Sequence, residues 1–295
     1  MRRIIHLLDT RLSHLYGVEA MKSKIGIFIP CYNVENSVQK VLDSFSPETL
    51  TKIDTVVAIN NCSTDGTLKV LQYRQQLNTP LARKLVVIRN SENYGLGGSQ
   101  KIAYQYFLNQ GFTHFMTIHG DNQTDGNVIA TQFLELLEKD PSIDVIMSSR
   151  FMPSASVKHY NRMRTFGNKF FNFLTYVLTG LKMSDAGAGV FCARTSTLKE
   201  GGFWNLTNSF QFNPQLNILL HENKSLKITT IPLEWRDSNE GSNIRAISYS
   251  LELSKILFRY GIQKYLRGRS GSRAFETALQ GKFEPKYDIG MSSSK

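Results

Sequence analysis

Five short segments of this chain hold the residue types that bind charged ligands rather than those that fill a core. They are Pro30-Cys31-Tyr32-Asn33, Asn60-Asn61-Cys62-Ser63-Thr64-Asp65-Gly66-Thr67, Asn90-Ser91-Glu92-Asn93-Tyr94-Gly95-Leu96-Gly97-Gly98, His119-Gly120-Asp121-Asn122-Gln123 and Ser148-Ser149-Arg150. Carboxylates offer the oxygen ligands that hard cations take. Side-chain amides both accept and donate. Glycines let backbone approach a ligand closely, and arginine matches phosphate through its planar donor fork. One such turn is noise; five at regular intervals suggest a single site.

Each of these turns follows a short apolar run that reads as a strand: Ile25–Ile29, Thr55–Ile59, Leu85–Ile88, Phe115–Ile118 and Val145–Met147. Between the first two, Val38, Val41, Leu42 and Phe45 fall on one face of a helix spanning 36–45. Between the last two, Ile129, Phe133, Leu136 and Leu137 do the same. Alternating β and α with short connections predicts a mostly parallel sheet covered by helices on both faces. Ligands of such sheets bind beyond the carboxyl ends of the strands, where the five polar turns would collect.

Composition sets outer limits. A chain of 295 residues with 41% hydrophobic residues can bury a sizeable core. Its three cysteines, Cys31, Cys62 and Cys192, have no metal-ligand spacing and read as reduced thiols. The net charge of +11 suits an anionic partner, a nucleotide or a phospholipid surface. No nucleic-acid-binding motif accompanies it. No stretch reaches the roughly 20 apolar residues that span a bilayer; the uncharged aromatic run Phe170 to Leu181 reads as a buried or interfacial helix. A dehydrogenase on a doubly wound sheet would need GxGxxG after the first strand, and Ile29-Pro30-Cys31-Tyr32-Asn33 contradicts it. The first 20 residues carry Arg2 and Arg3 without a long apolar core, so they do not read as a signal peptide. They are expected to be an extension, with Met21 as the true start.

In this order and at this spacing, IPCYN, NNCSTDGT, NYGLGGSQK, HGDNQ and SSRF resemble the family 2 glycosyltransferases, and within them the polyprenyl-phosphate sugar transferases and their soluble relatives. The resemblance covers about residues 24–240. It implies a GT-A fold over 24–243, after an extension at 1–23 and before a C-terminal amphipathic helix and basic tail at 244–295. It also implies a nucleotide-sugar donor, a Mg²⁺ or Mn²⁺ ion, and inverting transfer to a polyprenyl-phosphate or lipid-linked glycan in cell-surface polysaccharide synthesis. The expected location is the cytoplasm, peripheral at the membrane face.

Departure of a nucleoside diphosphate needs its charge stabilised, and a carboxylate-held ion does this. Asp121 is the expected ligand. The family has Asp-x-Asp there, whereas this chain has His119 at the first position, which either ligates or hydrogen-bonds the sugar. Gly120, Asn122 and Gln123 complete that donor turn. Pro30, Tyr32, Asn60, Asn61 and Asp65 are the expected base pocket, although Asp65 would serve equally as a helix cap. Asn93 and Gly95 open a helix whose N-terminus could favour phosphate.

The second half is expected to hold the acceptor. Arg150, Arg162 and Arg164 are candidates for its phosphate. Asp185, in Met183-Ser184-Asp185-Ala186-Gly187-Ala188-Gly189-Val190-Phe191, resembles the family's general base. Relatives often carry an acid near Phe210-Gln211-Phe212-Asn213-Pro214-Gln215, and this chain carries amides. Leu226–Trp235 looks like a late strand. Arg245 lies in what resembles a flexible loop over the diphosphate. Beyond it, Ile247, Leu251 and Phe258 share a helical face, followed by Arg259, Lys264, Arg267, Arg269 and Arg273; this suits an anionic membrane surface or a helix packed on the domain. Residues 290–295 are expected to be disordered. The competing reading is a nucleotide-sugar binding protein that has lost catalysis, on the strength of His119, Asn60 and Asn61.

Overall fold

The computed structural model describes residues 23–158, 162–199, 202–236, 246–275 and 283–290. The expected extension up to residue 22, the loop carrying Arg245, and residues 291–295 lie outside them.

The centre is a strand buried on both faces. β1 (Ile25–Cys31) pairs in parallel with β2 (Thr55–Asn60) on one side and β4 (His114–Thr117) on the other. β3 (Leu85–Asn90) extends the sheet beyond β2, and β5 (Val145–Ser149) pairs in parallel with β8 (Ile228–Pro232). Between β4 and β5 lies β7 (Phe191–Arg194), antiparallel to both. β10 (Tyr287–Gly290) closes the far edge antiparallel to β3, giving the order β10-β3-β2-β1-β4-β7-β5-β8. β6 (Ser156–Lys158) and β9 (Glu234–Arg236) form a separate two-stranded ribbon.

All five expected strands are present, each within a residue or two of its sequence boundaries. They were legible because a parallel strand covered on both faces is a nearly continuous apolar run. β7 and β10 were not read as strands, and Gly290, expected to be disordered, belongs to β10. Residues 287–290, within the expected C-terminal helix and tail, thus pair with the main sheet.

The two faces carry different helices. On one, α1 (Glu35–Ser44), α2 (Pro47–Lys52), α3 (Thr67–Gln76) and α5 (Gly126–Lys139) bury Val38, Val41, Leu50, Leu71 and Phe133 against Ile27, Ile29 and Val56. On the other, α4 (Gly95–Asn109), α8 (Phe212–Glu222) and α9 (Ala246–Arg267) bury Tyr104, Phe107, Leu216 and Leu257 against Phe28, Val57 and Phe115. α6 (Arg162–Thr179) packs against this second face through Phe171, Leu174 and Leu178. α7 (Ser196–Lys199) and α10 (Ser272–Phe275) are short. Local signals start the helices: Ser46 accepts from Thr49 N–H with Pro47 at the first position. Likewise Asp125 accepts from the N–H groups of Asn127 and Val128.

His114, at the start of β4, is buried with Nδ1 3.0 Å from Thr113 Oγ1. Burial, helped by the positive charge of Arg194 and opposed by Asp144, lowers its pKa to about 4. An unfolded histidine titrates near about 6.5. The folded state therefore keeps His114 neutral where the unfolded chain takes up a proton, so stability falls as pH drops from 6.5 toward 4. We expect urea midpoints to decline across that interval and the decline to flatten in His114→Gln; an identical pH profile for the variant would rule this out.

Candidate active site

The carboxyl ends of β1, β2, β3, β4 and β5 share one edge, as does the amino end of the reversed β7. The turns expected to carry chemistry therefore meet there, joined by the loop that enters β7.

The turn after β4 is folded against the end of β1. A Cβ on Gly120 would lie 2.8 Å from Pro30 O, so only glycine permits the crossing. Ser37 Oγ donates to Gly120 O at 3.0 Å. Asn122 adopts φ 57°, and Asp121 Oδ1 accepts from Gln123 N–H at 3.1 Å. This arrangement presents Asp121 half-exposed at the edge. Its negative charge reaches the buried Cys31 thiol, whose pKa is pushed up by burial first and then by Asp121 and Asp65.

His119 lies on the inner side of the same turn. Its Nε2 is buried with no hydrogen-bond partner among the described residues. It faces the loop before β7: a Cβ on Gly189 would fall 2.8 Å from His119 Nε2 and 2.4 Å from Asn213 Nδ2. Trp235, from β9, stands edge-on to the His119 ring at 6.3 Å and 5.5 Å from the Arg150 guanidinium. Trp235 was legible only as the end of a late strand; nothing in its local sequence placed it here.

Among the described residues, no three His, Cys, Asp or Glu side chains cluster as a metal site. An ion at Asp121 would complete its shell with ligand oxygens and water, the habit of hard cations that bind with substrate phosphates. The half-exposed carboxylate fits that kind of ion; the His119 imidazole is a nitrogen donor, which suits Mn²⁺ better than Mg²⁺.

The turns after β2 and β3 are largely self-engaged. Asn61 Nδ2 donates to Asn93 Oδ1 at 2.8 Å, while Asn61 Oδ1 accepts from Asn90 Nδ2 at 2.9 Å and Tyr94 N–H at 3.0 Å. Asn61 thus holds the loops together, whereas the adjacent Asn60 keeps a buried Oδ1 without a partner among the described residues. Asp65 accepts from Glu35 N–H at 3.1 Å and Thr67 N–H at 3.0 Å. Its partial burial would raise its pKa, but these hydrogen bonds hold it below the ordinary value. Asp65 thus braces its own turn against the start of α1, while the N-cap of α3 is Gly66, with no side-chain cap bond. Tyr32 and Pro30 are half-buried beside them.

Gly95, at φ 71°, opens α4 against the carbonyl of Asn208, which also accepts from Gly98 N–H at 3.1 Å. Part of this helix N-terminus is therefore already satisfied by protein. Lys101 is buried beneath it, donating to Leu206 O at 2.5 Å and Asn208 Oδ1 at 2.8 Å, and burial lowers its pKa to about 8.

The largest departure from sequence expectation concerns Asp185 and Arg150. They were assigned to separate tasks, base and phosphate ligand. In the structure they form a two-pronged ion pair: Arg150 Nε and Nη2 donate to Asp185 Oδ2 and Oδ1, each at 2.8 Å, and Arg150 N–H adds a third bond at 3.1 Å. The Asp185 side chain is 1% exposed and that of Arg150 12%. Both oxygens of the expected base are thus committed to an arginine. The surrounding loop is pinned as well. Asn172 of α6 accepts from Ala186 N–H at 2.9 Å and donates to Ser184 O at 2.8 Å. Asn217 of α8 donates to Ala186 O and Ala188 O. Arg162 and Arg164 fall in the first turn of α6.

Residues 26–202 match the family model described as glycosyl transferase family 2. The chain belongs to this family. The glycosyltransferase is 22% identical over 218 residues to a UDP-N-acetylglucosamine–dolichyl-phosphate N-acetylglucosaminyltransferase of Methanococcus voltae, covering 71% of this chain and 84% of the relative. Its fold is similar to mannosyl-3-phosphoglycerate synthase from Rubrobacter xylanophilus, with TM-score 0.59, 15% identity, and 88% and 77% of the two chains covered. It is also similar to glucosyl-3-phosphoglycerate synthase from Mycobacterium tuberculosis in complex with Mn²⁺, UDP and glucosyl-3-phosphoglycerate, with TM-score 0.56, 13% identity, and 86% and 83% covered. The sheet and its helices are thus those of a GT-A glycosyltransferase, as the sequence motifs implied.

Proposed function

We propose that this glycosyltransferase moves a sugar from a nucleoside diphosphate donor to a phosphate carried on a polyprenyl or dolichyl lipid, inverting the anomeric carbon. The observation that carries the reading is the convergence of Asp121 and His119 with the end of β1 and the pinned loop 184–189 on one sheet edge. The name of the archaeal relative supports the lipid phosphate and a uridine donor; the ligands named with the mycobacterial structure support UDP and Mn²⁺. A lipid-linked glycan hydroxyl is the other acceptor compatible with the site.

Asp121 and His119 would hold a Mg²⁺ or Mn²⁺ ion, whose chemistry when bound is to neutralise charge on the departing diphosphate. Pro30, Tyr32 and Asn60 flank the space for the base, with Asn60 Oδ1 left to accept from a ring N–H. The acceptor oxygen attacks the anomeric carbon from the face opposite the diphosphate; that C–O bond forms as the bond to the diphosphate breaks. A phosphate oxygen is already anionic near neutral pH and needs little help from a base. This agrees with an Asp185 whose carboxylate is occupied by Arg150. In this reading the pair positions the acceptor loop, and Arg162, Arg164 and Arg245 remain the candidates for phosphate and diphosphate contacts.

Thermal shift with UDP, GDP and dTDP, each with and without Mn²⁺, tests the donor side. A ligand at a hundred times its dissociation constant adds about 2.7 kcal/mol. We expect UDP with Mn²⁺ to raise the melting temperature and EDTA to cancel the rise. Equal shifts with and without the ion would remove the metal from the reading, and no shift with any diphosphate would remove the nucleotide.

A further inference from the structure

α6 and α9 pack against each other and leave a broad apolar surface uncovered. On α6, Phe166, Phe170, Phe173, Tyr176 and Val177 are between 49% and 75% exposed and follow helical spacing along one face. On α9, Ile247, Leu251, Phe258, Ile262, Tyr265 and Leu266 are between 50% and 80% exposed, again on one side. The helices meet where a Cβ on Gly261 would touch Leu178, and where Tyr265 Oη approaches within 3.5 Å of a Cβ built on Gly180. Lys264 bridges them, donating to Thr179 O and pairing with Glu222. Tyr265 therefore joins the exposed stripe of α9 to the end of α6.

Continuous exposure of large aromatic side chains marks an interaction surface. The charge around it selects the partner. Lys169, Lys182, Lys255, Arg259, Arg267, Arg269 and Arg273 are exposed on or beside these helices. α6 contains no acidic residue and α9 only Glu252. Aromatic and aliphatic stripes bordered by cations match the interface of a bilayer with anionic headgroups. No helix among the described residues is long and apolar enough to cross a membrane, so the match is to lying on the surface.

We propose that the α6–α9 face seats the enzyme on an anionic lipid bilayer and presents the acceptor loop to it. The sequence read the aromatic run of α6 as buried or interfacial; the structure exposes one face of it, and α6 is wired to the site. Asn172, on the same helix as the exposed aromatics, hydrogen-bonds the backbone of both Ser184 and Ala186, on either side of Asp185. Seating α6 on the bilayer would thereby place the Asp185 loop at the level from which a lipid phosphate enters. This second half of the proposal rests on the lipid-phosphate reading above; the seating itself does not.

The test uses the full chain with phosphatidylcholine vesicles, alone or with phosphatidylglycerol. Sedimentation should recover the protein with the mixed vesicles and much less with the neutral ones. In Phe173→Trp, lipids brominated in their acyl chains should quench the new fluorophore. Phe173→Glu with Leu266→Glu should lower vesicle binding at least about tenfold, since charge in the apolar interface is costly, while leaving the UDP-induced thermal shift intact. No sedimentation with anionic vesicles would overturn the proposal, as would absent quenching. So would a concentration-dependent dimer abolished by the same double substitution with vesicle binding unchanged, because a second copy would then be what covers the face. Vesicle binding that persists while lipid phosphates fail as acceptors would remove the acceptor reading and keep the seating.

Discussion

Asp121→Asn is expected to lower turnover by at least about a thousandfold, equivalent to about 4 kcal/mol of barrier, without a matching loss of stability. The turn that carries Asp121 is held by Gly120 against Pro30 and by Ser37. The amide keeps the size and can still accept from Gln123 N–H, where the aspartate accepts at 3.1 Å. What it loses is the negative oxygen that a hard cation takes. Steady-state transfer from a UDP-sugar, with circular dichroism and urea midpoints as controls, checks this. Turnover within a few-fold of the parent would remove Asp121 from the chemistry. A parent protein that binds donor and transfers nothing would favour the reading of a binding protein, for which His119 in place of an acid is the sequence argument.

The second large effect concerns stability. Breaking a buried ion pair by removing one partner typically costs about 3–5 kcal/mol, because the other charge stays desolvated without it. With Asp185 1% and Arg150 12% exposed, Asp185→Asn should fall in that range by urea denaturation. Arg150→Met combined with Asp185→Leu should recover at least half of the loss, since both desolvated charges are then replaced by apolar side chains. Activity should stay low in both, because the loop at 184–189 loses the two-pronged side-chain pair in each, and in the double variant the acceptor for the N–H of residue 150 as well. A general base would behave differently. Asp185→Asn would then be nearly as stable as the parent, and kcat would lose the acidic limb of its pH profile. A small stability change with a vanished acidic limb would therefore sink the positioning role.

The sequence carried much of the sheet and the list of turns, and little of how the turns bond to each other. Apolar runs such as IGIFI and TVVAI name themselves as strands because both faces are buried. β10, Tyr-Asp-Ile-Gly, has no such pattern. Its pairing is dictated by the open edge of β3 and by Tyr94, whose hydroxyl bonds with both Lys286 N–H and Lys286 O. Arg150 and Asp185 were both singled out from sequence, yet 35 residues separate them, and no local spacing says that they are partners. Asn61 resembled a ligand residue by position in a motif. Only the structure shows its amide already divided among Asn90, Asn93 and Tyr94.

The clasp between Tyr94 and Lys286 joins positions 192 residues apart. Ser91, in the same loop, also donates its N–H to Lys286 O. During synthesis the chain emerges amino end first, so β3 stands as a raw edge, open to unwanted strand pairing, until β10 leaves the ribosome. The loop after β3 thus reaches its finished form only once β10 has been made, and its maturation is tied to a segment 192 residues downstream.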